Sequence, residues 1–303
     1  MRKRFSQENG RRWNMHEYTK TVAIVGAAHA ESLLCMEALR EEHLVDFLLF
    51  GDQERICELA AQLGLDLGNS IIVPTHDDEQ SALLATEAVV AGTVQVLMKG
   101  SVHTADFIHR ILDKERGLLP EGGVLSHVAR VQLPWYPKPL LITDAAINIK
   151  PDFDRKVGMV KNAIRVARAL GVVQPKVAVV CPVETVNPRM PSTTDAAQLV
   201  FLQRNTSVFD NAVVEGPFAL DVALSARAAQ IKGLLGEVPG DADILLLPDL
   251  DAANPTLKAL SAYPGATSAG IVMGARIPIV LTSRSDLKDA RVASLRLALA
   301  VSA

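Results

Sequence analysis

The chain has 303 residues, of which 49% are hydrophobic, and its formal net charge is −3 at pH 7. A chain of this length exceeds the size at which one hydrophobic core usually stops growing, so two lobes are expected. The small net charge and a pI of about 6.2 argue against nucleic acid or an anionic membrane as partner and favour a small-molecule ligand. The three cysteines form no Cys-x-x-Cys pair, so we expect neither a disulfide framework nor a zinc site.

Residues 1–20 are basic and polar, and no apolar stretch of signal-peptide or membrane-spanning length follows them. We predict that this segment is a disordered leader. The absence of a targeting stretch and the scattered cysteines are typical of a protein of the reducing cytoplasm.

Short β-branched runs alternate with longer amphipathic stretches, which is typical of a parallel sheet with crossover helices. We therefore predict an α/β fold. The predicted strands are Val22–Gly26, Phe47–Phe50, Ser70–Val73, Val94–Met98, Leu140–Thr143, Val177–Val180, Ala212–Glu215, Ile244–Pro248 and Ile277–Leu281. Predicted helices include Ala105–Leu112 and Asp154–Leu170, and Gly171 supplies a stop for the second.

The region Gly117–Pro139 breaks this rhythm, because glycines and prolines bracket an alternating segment, Val124–Leu133. Alternation is typical of antiparallel strands, so the sheet is predicted to be mixed. A boundary near Lys150 is expected to separate a first lobe, 21–150 with 277–303, from a second lobe, 151–276.

Polar side chains follow several predicted strands, at the edge where α/β sheets bind ligands. These side chains are Lys99 and His103, then Asp144 and Asn148, then Asp249 and Asn254, and finally Ser283 and Arg284. Lysine, arginine and amide donors gathered at one edge suit an anionic ligand. No aspartate grouping has convincing spacing for a metal ion, so no metal site is predicted.

Several of these residues also have structural explanations. Thr143 and Asp144 could cap the next helix, as could Thr104 and Asp106. His103 could be a hydrogen-bonded loop histidine. The chain lacks the Gly-x-Gly-x-x-Gly, Walker, His-Glu-x-x-His and Gly-x-Ser-x-Gly motifs. The segment 266–270 matches the last motif except for its first glycine, so Ser268 is interpreted as a helix or loop residue.

Taken together and in order, seven segments resemble the phosphate acetyl/butyryltransferase family, from about Thr21 to the C-terminus. The segments are Lys99–Thr104, Leu125–Val128, Thr143–Asn148, Glu184–Pro191, Val214–Pro217, Gly240–Leu250 and Ile277–Arg284. Within the family, the sequences Met-Lys-Gly and Thr-Asp-Ala-Ala-Ile-Asn resemble the butyryltransferase branch more than the acetyltransferase branch.

The resemblance implies a two-lobed fold similar to isocitrate and isopropylmalate dehydrogenases, with the active cleft between the lobes and usually a homodimer. It implies transfer of a short acyl group between coenzyme A and inorganic phosphate, with coenzyme A as substrate and no tightly bound cofactor. The implied partners are therefore acyl-CoA and phosphate, and neither nucleic acid nor membrane.

The resemblance also assigns roles. Ser283 would hydrogen-bond the sulfur, and Arg284 would hold phosphate or polarise the carbonyl. The aspartate base is Asp286 or Asp289, with helix capping an equal alternative for Asp286. Arg110 would bind phosphate, although the butyryltransferase branch places its arginine at the position of His109. The expected substrate-binding residues are Lys99, His103, Arg110, Asp144, Asn148, Asp249 and Asn254.

Three other functions stay open at this point. One is a metal-dependent decarboxylating dehydrogenase on the same fold, and another is a CoA-dependent hydrolase. The third is a non-catalytic module that senses CoA or acyl-CoA, since fold and function separate easily. The length of the acyl chain is not predicted, because one methylene changes pocket discrimination by only about 1–3 kcal/mol.

Overall fold

The computed structural model describes residues 7–8, 11–12, 20–40, 45–113, 117–281 and 288–302. In chain order the strands are β1 Gln7–Glu8, β2 Arg11–Arg12, β3 Lys20–Val25, β4 Val45–Gly51, β5 Ile71–Pro74, β6 Val96–Lys99, β7 Ser126–Gln132, β8 Leu140–Thr143, β9 Lys176–Val180, β10 Val213–Phe218, β11 Ile244–Leu246, β12 Thr267–Met273 and β13 Ile279–Val280. The helices are α1 Ala30–Arg40, α2 Gln53–Gln62, α3 Asp78–Val90, α4 Thr104–Ile111, α5 Phe153–Ala169, α6 Pro191–Asn205, α7 Leu220–Leu224, α8 Ala226–Ile231, α9 Leu250–Ser261 and α10 Lys288–Val301.

The chain divides into two compact units. The first consists of Met1–Gly122 with Ala275–Ala303, and the second of Gly123–Gly274, as far as those ranges are described. The lobes predicted from sequence, with their boundary at residue 150, differ from these units in the placement of residues 123–150 and 275–276 and stay a prediction. Within the predicted leader, β1 and β2 pair antiparallel, and the rest of residues 1–19 lies outside the described residues.

The first unit contains a parallel sheet in the order β13-β6-β3-β4-β5. Its strands are apolar runs, and in β3 the five residues after Lys20 are buried. Parallel strands are covered on both faces by helices, which explains why the runs are continuous rather than alternating. The strand predictions in this unit match the structure to within two residues at each end.

The second unit contains a mixed sheet in the order β10-β9-β11-β8-β7-β12. Strands β10, β9, β11 and β8 are parallel, whereas β7 pairs antiparallel with both β8 and β12. The predicted mixed α/β character is therefore confirmed. One face of this sheet packs in a core that includes Ala129, Val131, Ile142, Leu245 and Ala253.

Two interpretations of individual residues were wrong. Ser268 lies on strand β12, opposite Val131 of β7, and is neither a helix nor a loop residue. Asp144 does not cap a helix, because the next helix, α5, takes its cap from Asp152, whose Oδ1 accepts from the backbone N–H of Arg155. Tertiary pairing decided the first case, since β12 has few β-branched residues at its start.

Helix α4 also differs from the expected capping. Its N-cap is His103, which makes no side-chain capping bond, so neither Thr104 nor Asp106 has the capping position. The predicted helix itself, and the stop after α5, are confirmed, and Gly171 has a φ of 91° that suits glycine. In the part of the chain that is described, no helix is both long and apolar enough to cross a membrane.

Candidate functional site

The three predicted catalytic residues, Ser283, Arg284 and Asp286, lie outside the described residues. The alternative base, Asp289, is described: it is exposed and lies in the first turn of α10. The other predicted residues are described: three lie in the first unit, and four, Asp144, Asn148, Asp249 and Asn254, lie in the second.

In the first unit, the ends of β3 and β6 come close together through two glycines. Gly100 has the backbone of Gly26 where a Cβ would be, and Gly26 has a φ of 72°. The Gly100 N–H donates to Val25 O at 2.8 Å, and Ser101 Oγ donates to Gly26 O at 3.2 Å. Side chains at either glycine would separate the two strand ends.

Lys99 lies at the end of β6, and its side chain folds back onto the loop that follows this strand. Its ammonium donates to the carbonyls of Gly100 and Val102, each at 3.0 Å. Two of its donors therefore organise the loop that leads into α4. The positive charge stays at the carboxyl edge of the parallel sheet, where anions bind in this fold class.

His103 and Arg110 belong to α4, which follows that loop. His103 is exposed at the N-terminus of the helix. Arg110, one residue from the last position of the helix, forms ion pairs with Glu79 at 2.9 Å and Asp113 at 3.4 Å. Because the Glu79 side chain is 80% exposed, that pair contributes little stability and could exchange for a ligand anion.

Two further basic side chains, His29 and Arg291, lie near Lys99, and neither was assigned a role from the sequence. His29 follows β3, and burial lowers its pKa first, with further lowering by the positive charges of Arg291 and Lys99. Arg291 on α10 is only 4% exposed and pairs with Glu31 at 3.6 Å. No sequence signal distinguishes Arg291 from an ordinary helical arginine, because its burial depends on α10 packing against α1.

In the second unit, the segment after β8 is organised by the carboxylate of Asp144, which is 1% exposed. One oxygen accepts from the N–H groups of Ala146 and Ile147, both at 2.9 Å. The other accepts from the N–H of Asn148 at 3.2 Å and from its Nδ2 at 2.6 Å. These four hydrogen bonds to one buried carboxylate fix the conformation of the segment.

Asn148 connects this segment to its neighbours. Its Nδ2 also donates to Leu125 O at 2.8 Å, just before β7. Its Oδ1 accepts from Arg155 Nη1 at 3.3 Å, in the first turn of α5. The Arg155 side chain is 60% exposed, so a guanidinium lies at this edge with most of its surface in solvent.

Helix α9 packs its N-terminal end on the same segment. Asp249 is its N-cap and accepts from Ala252 N at 2.9 Å. Asn254 Nδ2 donates to Ala145 O at 2.9 Å, and the N–H of Leu250 donates to Ile149 O at 3.0 Å. The structure therefore brings together four of the predicted residues, which are Asp144, Asn148, Asp249 and Asn254.

The comparisons with known proteins decide between the functions left open by the sequence. The model of the family described as phosphate acetyl/butaryl transferase matches residues 75–299. The chain belongs to this family. The prediction made from the seven segments is confirmed.

Relatives support the assignment over nearly the whole chain. A phosphate butyryltransferase of Clostridium beijerinckii is 41% identical over 285 residues, which is 94% of each chain. A phosphate acetyltransferase of Thermotoga maritima is 37% identical over 278 residues, 92% of this chain and 94% of the relative. A branched-chain phosphotransacylase from Enterococcus faecalis V583 superposes with a TM-score of 0.82 at 34% identity, covering 93% of this chain and 99% of that one.

The chemistry of the described site agrees with a family that handles anionic substrates. The strand-end residues include the ammonium of Lys99 and the guanidinium groups of Arg110 and Arg155, all of which are positively charged. Among the described residues, no group of three or more His, Cys, Asp or Glu side chains could hold a metal ion.

Proposed function

We propose that this member of the phosphate acetyl/butyryl transferase family catalyses the reversible reaction of a short-chain acyl-CoA with phosphate to give acyl phosphate and coenzyme A. The observation that carries the proposal is the match to enzymes named phosphate butyryltransferase and phosphate acetyltransferase across more than nine tenths of the chain. A butyryl and an acetyl enzyme are about equally similar, so the family match leaves the acyl chain open.

The reaction makes three demands on the protein. A phosphate oxygen must reach the carbonyl carbon as the carbon–sulfur bond breaks, so a cationic cradle is needed. The phosphate proton must be transferred to the leaving thiolate, whose reference pKa as a thiol is ~8.5. The carbonyl oxygen gains negative charge in the transition state, and each fixed donor to it is worth about 3 kcal/mol.

We assign these demands to residues of the chain by family resemblance. Ser283 hydrogen-bonds the sulfur, and Arg284 holds phosphate or polarises the carbonyl. Asp286 is the base, with Asp289 as the alternative. Lys99, His103 and Arg110 supply positive charge or hydrogen bonds for the substrate in the first unit.

The residues of the second unit contribute differently. The carboxylates of Asp144 and Asp249 accept backbone N–H groups, so we propose that they act by shaping the segment after β8 and the start of α9. Asn148 and Asn254 tie that segment to β7 and α9. These residues therefore contribute to substrate binding by positioning the backbone of the segment and the exposed guanidinium of Arg155.

The same proposal includes the finer expectations from the sequence. Coenzyme A is a substrate, and the enzyme works without a tightly bound cofactor. The fold resembles that of isocitrate and isopropylmalate dehydrogenases. The enzyme is a homodimer of the cytoplasm.

The test is to incubate the purified protein with acetyl-, propionyl- and butyryl-CoA, with and without phosphate. Release of free thiol is followed together with acyl phosphate trapped by hydroxylamine. We expect thiol release that depends on phosphate and equals the acyl phosphate formed. Thiol release without phosphate would instead indicate a hydrolase, and CoA binding without turnover a sensing module.

A matched pair of variants tests the arginine. Arg284→Ala should lower kcat at least about 100-fold, because it removes a charge that stabilises the transition state. Arg276→Ala is the control: Arg276 has an exposed side chain in the same unit, and its backbone N–H, which the substitution keeps, donates to Leu118 O at 2.9 Å. Equal activity of the two variants would contradict the role given to Arg284.

A further inference from the structure

Two large exposed side chains, Ile149 and Arg155, lie on the chain that leads from β8 into α5 in the second unit. The backbone of this segment is fixed by the Asp144 carboxylate and by the bond from Leu250 N–H to Ile149 O at 3.0 Å. Ile149 is nevertheless 65% exposed, and the Arg155 side chain is 60% exposed. Both residues follow the carboxyl end of β8, the edge at which α/β sheets bind ligands.

The guanidinium of Arg155 is positioned by the protein but keeps donors for a ligand. Nη1 donates to Asn148 Oδ1 at 3.3 Å, and Asn148 is itself fixed by its bonds to Asp144 and Leu125. Nε lies 4.0 Å from the carboxylate of Asp152, which is 71% exposed, so this pair is weak. Because a guanidinium has five N–H donors, most of them face solvent.

The position of Arg155 in its helix concentrates positive charge at this edge. The N-terminal end of a helix carries a partial positive charge, which disfavours a cation in the first turn and favours an anion nearby. Arg155 lies in the first turn of α5, and Lys150 just before the helix is also exposed. The two carboxylates of this turn, Asp152 and Asp154, are exposed and therefore screened by solvent.

A ligand that suits this surface carries phosphate together with apolar groups. A guanidinium binds phosphate through paired hydrogen bonds, and the exposed Ile149, next to Asn148, offers apolar contact. Of the two substrates of the proposed reaction, inorganic phosphate has only the first property. Acyl-CoA has phosphate groups and a long arm with methyl and methylene groups, so it has both.

We propose that Arg155 binds a phosphate group of the coenzyme A part of the substrate. This inference rests on the proposed function and assigns the binding of one substrate to a residue of the second unit. Asn148 acts as a positioning residue, because its Oδ1 accepts from the guanidinium that contacts the ligand. The interaction is made equally in the ground state and the transition state, so it determines affinity and not the rate of the chemical step.

Arg155→Gln removes the charge and the paired donors but keeps a polar side chain. We expect the Kd of coenzyme A, measured by calorimetry, to rise about tenfold, because charge-assisted hydrogen bonds to phosphate are lost. The KM of acyl-CoA should rise by a similar factor, whereas kcat and the KM of phosphate should change less than about twofold. Arg155→Lys keeps the charge without the paired donors, so its Kd should lie between those of the wild type and Arg155→Gln.

Arg165→Gln is the matched control. Arg165 is exposed on the same helix and lies about 15 Å further along its axis, away from the strand-end edge. The control loses the same charge and should bind coenzyme A with a Kd within about twofold of the wild type. An equal rise in Kd in both variants would show that net charge alone matters and would overturn the proposal. In thermal unfolding Arg155→Gln should be at least as stable as the wild type, because the first turn disfavours arginine.

Three probes identify the group that Arg155 binds: coenzyme A, 3′-dephospho-coenzyme A and inorganic phosphate. If Arg155→Gln weakens binding of coenzyme A alone, the group is the 3′-phosphate, and if it weakens binding of both nucleotides, the group is the diphosphate. Weaker binding of inorganic phosphate with unchanged binding of coenzyme A would overturn the proposal, as would unchanged binding of all three.

The binding measurements need no turnover, so this inference and the proposed function fail separately. A wild-type protein that releases no thiol in response to phosphate would contradict the proposed function. An active wild type whose affinity for coenzyme A equals that of Arg155→Gln would contradict this inference alone.

Discussion

Asn148 donates from Nδ2 to the buried carboxylate of Asp144 at 2.6 Å and to the carbonyl of Leu125 at 2.8 Å. One amide thus connects the segment that follows β8 to the residue that precedes β7. Asp144 had been expected to bind substrate, yet its two oxygens accept from four protein donors. The carboxylate therefore fixes the conformation of the segment after β8.

Replacing Asp144 by asparagine should destabilise the second unit and reduce activity. An amide has one acceptor oxygen, and its NH₂ group would face backbone N–H donors. We expect a loss of about 1–3 kcal/mol in the free energy of unfolding, together with lower kcat/KM. Urea denaturation and the acyl phosphate assay measure the two effects.

Asp152→Asn is the matched control for this substitution. Asp152 caps α5 and accepts one backbone N–H at 2.9 Å, a role that asparagine fills equally well. The control should therefore unfold at nearly the wild-type urea concentration. A similar stability loss in both variants would mean that the four hydrogen bonds to Asp144 contribute no more stability than the single capping bond to Asp152.

The thiols should differ sharply in reactivity. Cys57 is exposed, whereas Cys35 and Cys181 are buried. Burial raises the pKa of Cys181 to about 11, with its Sγ against the Ser192 carbonyl. Because the thiolate is the reactive form, a thiol reagent at pH 8 should titrate one cysteine quickly in the native protein and three after denaturation. Fast loss of two or more thiols would contradict this arrangement.

His29 should make stability depend on pH on the acid side. Burial lowers the pKa of His29 below its ordinary value, the charges of Arg291 and Lys99 lower it further, and Glu31 opposes them. Below about pH 6.5 the unfolded chain therefore binds a proton that the folded protein does not, so stability decreases as the pH falls towards the folded pKa. Above that pH the contribution is constant.

His29→Gln should flatten this part of the stability curve. The free energy of unfolding of the wild type should drop more than that of the variant between pH 7.5 and pH 5.5. Equal drops in the two proteins would show that His29 protonates as easily in the fold as in the unfolded chain. Chemical denaturation at the two pH values is sufficient for the measurement.

The fold was largely predictable because its parallel strands are short apolar runs. Such a run can be recognised from a few neighbouring residues in the sequence. Strand β12 was not, since Ser268 and Gly270 lie in a stretch without strong strand preference and pair with β7 more than a hundred residues away. Pairing of this kind depends on tertiary contacts, which outweigh propensity.

The grouping of polar residues at strand ends was predictable from the sequence, whereas their hydrogen-bond partners were not. The rule that ligands bind beyond strand ends selected Asp144, Asn148 and Asn254, which the structure does bring together. It could not distinguish a side chain that faces substrate from one whose atoms are used by the protein.

The ion pair between Lys156 of α5 and Asp195 of α6 should be more important for stability than any exposed pair in the second unit. Its atoms are 2.6 Å apart, and the two side chains are 8% and 22% exposed. Asp195→Ala would leave the Lys156 ammonium buried without its partner, so we expect a loss of about 3 kcal/mol in the free energy of unfolding. The double variant Lys156→Met with Asp195→Leu removes both charges and should lose much less. The exposed pair of Arg168 with Asp210 is the comparison, and Asp210→Ala should cost under about 1 kcal/mol. If the single Asp195 variant were as stable as the double one, desolvation of Lys156 would not be the governing effect.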